Sequence, residues 1–286
     1  LKVLADLFVQ VLRICQKAGL VRLGHVALDG TKVRANASKH KAMSYGRMEK
    51  TAQELEQEVQ QLLQQAEQVD ADEEALYGQD KRGDELPQAL GFKQSRLKKI
   101  QEAMAALEAE AQAKAEERRE EIRQQEEAIE KEGKKRRGKK PTEPTETPEA
   151  KAQRNFTDPD SRIMKEGATQ SFEQCYNAQA AVDDTSQIIV ATKVTQQAND
   201  KQQLVPMLEE IEANTGGQKP EKFSADAVYF SEANVKHLQS KGIDAHIAPG
   251  RDKHSTPKRA APRGRIPKMA TVKERMERKL RTIKGR

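Results

Sequence analysis

From Met48 the apolar residues Ala52, Leu55, Val59, Leu62, Ala66 and Val69 follow at alternating intervals of four and three, and Leu97, Ile100, Met104, Leu107 and Ala111 repeat the pattern farther on. A 3.5-residue period held over several turns, with Gln and Glu around it, is the seam of a coiled coil. Each such helix leaves one apolar stripe that needs a partner. The simplest partner for the first seam is the second, folded back antiparallel across Gly78 to Gly91, a break that holds three glycines and Pro87. The constraint is strong because it removes the middle of the chain from any common core. Charged residues make up 34% of the sequence, hydrophobic residues 35% and aromatic residues 3%, which fits a chain with a large solvated helical part.

The flanking sequence has the grammar of an α/β layer. Leu4, Leu7, Phe8, Val11, Leu12 and Cys15 predict an amphipathic helix over Leu1 to Ala18, ended at Gly19. His25 to Ser38, HVALDGTKVRANAS, predicts a short buried strand, Val26 to Leu28, that delivers Asp29 into an exposed Gly-Thr turn. After the helical stretch come a basic cluster, GKKRRGKK, and a Pro/Thr/Glu linker with nothing to bury. Beyond them, NFTDPDSRIM predicts a turn around Asp158-Pro159-Asp160, and Phe172 to Val182 pairs with Gln187 to Thr195 as a hairpin. Asn199 to Ala213 reads as a helix, Phe223 to Tyr229 as a buried strand holding Asp226, Ser231 to Ser240 as a helix capped by Ser231, and Ile243 to Ala248 as a last strand. With the helical hairpin set aside, the first and fourth strands carry acids.

Two aspartates brought to neighbouring strand ends repel each other, and a divalent cation relieves that repulsion. Ions about 3.5–4 Å apart in such a pocket can activate a water or 3′-hydroxyl and stabilise the leaving oxygen of a phosphodiester, with no His required. Charge placement points the same way. Arg251 to Arg286 carries 14 Lys or Arg against 3 Asp or Glu, so the net charge of +6 is concentrated in a C-terminal segment suited to a polyanion. Cys15 and Cys175 have no zinc-like spacing and read as reduced structural thiols, and the five histidines show no ligand grouping. No apolar run is long enough to span a bilayer and the first twenty residues lack a signal-peptide pattern, so an intracellular protein is expected.

VALDGTKVRANASK, NFTDPDSRIM, QCYNAQAAVDDTSQIIVA, QQANDKQQLVPML and SADAVYFSEANV, in that order, resemble the DDE-type transposases of bacterial insertion sequences, in the group with a helical insertion after the first catalytic strand. The resemblance runs over essentially the whole chain. It implies an α/β fold, a ribonuclease H-like mixed sheet with helices, interrupted by a long antiparallel coiled-coil hairpin. It implies DNA strand cleavage and strand transfer at element ends with Mg²⁺ or Mn²⁺. By motif, Asp29 and Asp226 match the first and second catalytic, metal-holding acids. Lys32, Arg34, Arg162, Arg259, Arg263 and Arg265 are the expected DNA contacts. DNA, as element ends and target, is the expected partner of a protein that is a homodimer when full length, touches no membrane, uses no small-molecule cofactor, and works in the cytoplasm at the nucleoid.

The family's third acid, a Glu on a late helix with an upstream Tyr and Arg and a downstream Lys, has no good counterpart. Glu274 and Glu277 are the only late glutamates, and Ala270 and Lys273 stand at the Tyr and Arg places relative to Glu277. The chain is therefore expected to be an inactive fragment that begins after most of the N-terminal helical region and stops short of the Glu helix. The expected organisation is 1–24 as the end of that region, 25–45 as the first part of the catalytic domain, 46–132 as the coiled-coil insertion, 133–154 as linker, 155–250 as the rest of the catalytic domain, and 251–286 as a basic segment. A non-catalytic coiled-coil DNA-binding protein is the competing reading, in which the two acids are turn residues.

Overall fold

A computed structural model of the chain describes residues 2–77, 88–131, 141–166, 171–250, 264–267 and 269–282. In chain order the elements are α1 (Lys2–Lys17), β1 (His25–Arg34), β2 (Ala42–Ser44), α2 (Tyr45–Tyr77), α3 (Gln88–Lys131), β3 (Gln153–Asn155), β4 (Arg162–Lys165), β5 (Phe172–Asp183), β6 (Ile188–Thr195), α4 (Leu204–Asn214), β7 (Lys222–Ala225), α5 (Glu232–Ser240), β8 (Asp244–Ile247) and α6 (Val272–Leu280). They form two compact units, one of Leu1–Ala35 with Ile163–Arg286 and one of Asn36–Arg162.

The first unit is built on a mixed sheet in the order β4-β5-β1-β7-β8, with β6 also paired to β5. β5 runs antiparallel to β1 and β6, whereas β7 runs parallel to β1 and β8 parallel to β7. With β4 set aside, the strands lie β6-β5-β1-β7-β8, three antiparallel neighbours followed by two short parallel additions reached through α4 and α5. This mixed α/β arrangement is consistent with a ribonuclease H-like domain. One face of the sheet is apolar because alternate residues on a strand share a side. Val26 and Leu28 of β1, Ala181 of β5, Phe223 of β7 and Ile247 of β8 are buried against Leu204, Met207, Leu208 and Ile211 of α4 and Val235 and Leu238 of α5. Leu12 of α1 and Met276 of α6 close the same cluster.

Three local expectations are corrected here. β1 does not end at Leu28; it continues through Gly30 and Thr31 to Arg34, because β5 supplies antiparallel partners for every residue from Val26 to Arg34. β7 stops at Ala225, and Asp226 caps a 3₁₀ turn, Ala227–Tyr229, in place of the expected strand through Tyr229. The basic C-terminal segment is not all tail, since α6 lies within it and is set by a Thr271–Glu274 capping box. The start of β1 is pinned from the sheet itself: buried Asp183 accepts the Leu23 N–H through Oδ2 at 2.7 Å, holding Leu23 at the left-handed φ of 54°.

In the second unit, α2 and α3 pack through Met48, Ala52 and Leu55 against Ile100, Ala103 and Leu107. Tyr45 bonds Glu108, Gln101 bonds Glu56 and Lys93 pairs with Glu58, so residue numbers fall on one helix as they rise on the other and the two run in opposite directions. Met43, Tyr45, Ala152 and Phe156 pack against the same cluster, beside the short antiparallel pair of β2 and β3. Gly91 already lies in α3, while Gly78 to Pro87 and the basic cluster Gly133 to Lys140 fall outside the described residues.

Candidate active site

Asp29 and Asp226 sit where the parallel pairing of β1 and β7 ends. The register runs His25 with Lys222, Val26 with Phe223, Ala27 with Ser224 and Leu28 with Ala225. The next residue on each strand is the aspartate. Asp226 keeps extended backbone, φ −74° and ψ −179°, before the chain turns. Neighbouring strands lie about 4.8 Å apart, which sets the scale of the backbone separation between the two acids. Both side chains are exposed.

Each carboxylate is anchored on one oxygen by the chain that follows it. Asp29 Oδ1 accepts the Gly30 N–H at 2.8 Å, and Asp226 Oδ1 accepts the Val228 N–H at 3.0 Å. This leaves the two Oδ2 atoms without a protein donor among the described residues. Hard carboxylate oxygens of this kind fit a Mg²⁺-like cation, which takes one or two carboxylates and keeps several waters. Among the described residues no group of three or more His, Cys, Asp or Glu is placed to hold a metal.

Beneath the pair, on the buried face of the sheet, lies a polar network that the sequence reading missed. Asn177 and Gln179 of β5 are buried, opposite Lys32 and Gly30 of β1. Asp200 Oδ1 accepts from Lys32 Nζ at 2.9 Å, from Asn177 Nδ2 at 2.5 Å and from Gln179 Nε2 at 2.9 Å. The buried Tyr229 hydroxyl donates to Gln179 Oε1. Its pKa is raised, first by burial and then by the negative charges of Asp200, Asp29 and Asp226, with the Gln179 bond opposing the shift. Tyr229 therefore lies within electrostatic reach of all three carboxylates. The available sequence signal was the i, i+2 placement of Asn177 and Gln179 in line with the core residue Ala181, which puts polar groups on the inward face of a strand.

The basic residues expected at DNA are held in different ways. Lys32 is drawn inward to Asp200, with side chains 15% exposed on both partners. Arg34 makes a two-pronged pair with Glu166, Nε to Oε1 at 3.0 Å and Nη2 to Oε2 at 2.5 Å, and its pKa is raised chiefly by that hydrogen bond. Arg162 bonds both oxygens of Glu110 and the carbonyls of Pro159 and Ser161. Arg265 is exposed, while Arg259 and Arg263 lie outside the described residues. Of the late glutamates, Glu274 is committed to the Thr271 cap and Glu277 lies half-buried on α6.

Residues 144–285, about half of the chain, match the family model described as the transposase DDE domain. No curated protein and no solved structure matches. The chain belongs to the DDE-type transposases, the enzymes of insertion-sequence transposition and DNA recombination. Such a protein binds DNA. Among the described residues no helix is long and apolar enough to cross a membrane.

Proposed function

We propose that Asp29 and Asp226 together hold a divalent cation, Mg²⁺ or Mn²⁺, and form the acidic centre at which DNA strands are cut and transferred at insertion-sequence ends. The observation that carries this reading is the β1–β7 register, which makes the two acids the next neighbours after Leu28 and Ala225. A divalent cation held by Asp29 and Asp226 would supply Lewis-acid activation of an oxygen nucleophile and stabilisation of the leaving oxygen. The chain's contribution is to aim one oxygen of each acid with a backbone N–H and to present the other at the exposed end of the pairing. The antiparallel helix pair reads as the coiled-coil hairpin inserted at 46–132, between the catalytic segments 25–45 and 155–250, with 133–154 as linker. A homodimer at the nucleoid suits a protein that must handle two element ends.

With two acids and no group of three metal-holding acids among the described residues, nucleophile and leaving group are not held in line, and loss of such positioning costs orders of magnitude in rate. The chain is expected to bind duplex DNA with little sequence preference and a steep salt dependence, and not to cut or join it. Titration of free Mn²⁺ by electron paramagnetic resonance tests the centre: Asp29→Asn and Asp226→Asn each abolish tight binding. Parent-like Mn²⁺ binding in both variants sinks the reading. Cleavage of end-bearing DNA that disappears on Glu277→Gln would instead identify Glu277 as the third acid.

A further inference from the structure

Two buried polar side chains of the sheet unit, Gln179 and Tyr229, lie beside the two segments that carry the acids. Gln179 stands opposite Gly30, the residue after Asp29, and Tyr229 ends the 3₁₀ turn that Asp226 begins. The bond from the Tyr229 hydroxyl to Gln179 Oε1 therefore ties one segment to the other across the sheet. Space for it exists only because residue 30 is glycine: a Cβ there would stand 2.7 Å from the Tyr229 oxygen and closer still to the Gln179 amide. The amide itself cannot turn freely. Its Nε2 faces two acceptors, Asn177 Oδ1 and Asp200 Oδ1, both at 2.9 Å, which leaves Oε1 for the tyrosine. Lys32 on β1 neutralises Asp200 at 2.9 Å.

An apolar side chain at position 179 would fill the same space without removing polar groups from water, so stability alone gives no reason for this arrangement. What a fully satisfied buried network adds is one fixed geometry. We propose that Gln179 and Tyr229 are positioning residues that lock the spacing between Asp29 and Asp226, with Asp200 and Lys32 holding the Gln179 amide in its working orientation. This inference rests on the reading of Asp29 and Asp226 as the metal-holding pair. Neither positioning residue touches the metal; they act through Gly30 and the 3₁₀ turn.

The test is Mn²⁺ binding by the full chain and its Tyr229→Phe, Gln179→Met and double variants, measured well below every melting temperature, with Asp29→Asn as reference. Tyr229→Phe keeps the ring and removes a single O–H. Each single variant is expected to weaken Mn²⁺ binding about 10-fold or more, the range for loss of a group that orients a metal ligand. The double variant is expected to be no weaker than the worse single, because both act through one bond. A lowered melting temperature with parent-like Mn²⁺ affinity means that the network only holds the fold, and overturns the proposal while Asp29→Asn still abolishes binding. A parent that binds no Mn²⁺, or an Asp29→Asn variant that binds it normally, overturns both this inference and the acidic centre. Gln179→Glu is a second route should Gln179→Met not fold: it keeps an acceptor for Tyr229 but cannot donate to Asp200, and unchanged affinity there also counts against the proposal.

Discussion

The helix pair turns its apolar side chains inward and its charges outward, whereas the sheet unit buries Asn177, Gln179 and Asp183 beside Val26 and Leu28. In the first case, packing of Met48, Leu55, Ile100 and Leu107 supplies both stability and register, and any exposed polar residue can stand between them. In the second, the apolar cluster of Phe223, Leu208 and Ile211 holds the layers together while hydrogen bonds decide where two exposed aspartates end up. The difference teaches that the sheet unit separates the residues that make it stable from the residues that fix its geometry, whereas the helix pair draws both from one set of side chains.

The largest effect expected is on the sheet core. Phe223 is fully buried on β7, three residues before Asp226, and Phe223→Ala should cost about 3–5 kcal/mol in the denaturation of the sheet unit. Leu55→Ala or Ile100→Ala in the helix pair should cost about 2–5 kcal/mol, falling on the helical signal. Far-ultraviolet ellipticity reports mainly the helix pair and amide hydrogen exchange in β1 and β5 reports the sheet unit, so following both through the same urea titration separates the two. A single coincident transition that moves equally for all three variants would break the comparison, because the units would then fold as one. Excision of Gly46 to Lys140 with a short linker sharpens it: the sheet unit should keep its own cooperative melt.

The helix pair was legible because its signal repeats. Residues 48, 52 and 55 and residues 100 and 107 were placed on the seam by period alone and are buried, but so is Ala103 off that seam, while Leu97 and Met104 on it are only partly buried. Val59 and Leu62 are only half-buried, so the seam loosens along α2, which the same period could not show. The candidate site was legible in part. Asp29 was found from the apolar run before it, but the strand continues past it through pairing with β5, more than a hundred residues away, and local turn grammar at Gly-Thr could not foresee that partner. Asp226 was placed one element too early for a related reason: Val228 and Tyr229 have strand-like side chains, yet the Asp226 carboxylate caps a turn instead. The network was illegible because Asn177 and Gln179 look like surface residues until Asp200 and Tyr229 are brought to them.

A smaller effect separates the units by pH. Tyr45 donates to Glu108 Oε1 at 2.7 Å, and that bond, with burial and the Glu108 charge, raises its pKa from 10.0 to about 12. The folded chain then keeps a proton that the unfolded chain releases, so the contribution is fully present below pH 10 and is lost as pH rises toward about 12. Tyr45→Phe should flatten the alkaline loss of helix-pair stability in that window. Measured urea midpoints that fall as steeply for the variant as for the parent would remove Tyr45 as the cause.

The smallest effect tests whether a basic residue on β1 serves the fold or the DNA. Arg34 is 56% exposed and engages Glu166 with both prongs, and exposed pairs of this kind contribute about 0–1 kcal/mol. Arg34→Ala should therefore leave the sheet unit's melting temperature nearly unchanged. Its effect on DNA is the sharper measurement, since a phosphate contact changes the slope of log affinity against log salt by about 1 when it is removed. To reach a phosphate, Arg34 would have to break both of its bonds to Glu166, from Nε and from Nη2. That cost favours the pair staying closed, so the salt slope of Arg34→Ala is expected to equal the parent's, whereas Arg265→Ala, with an exposed side chain, should reduce it. Parent-like slopes for Arg265→Ala and a reduced slope for Arg34→Ala would reverse the assignment and bring the DNA path to the edge of β1, five residues from Asp29.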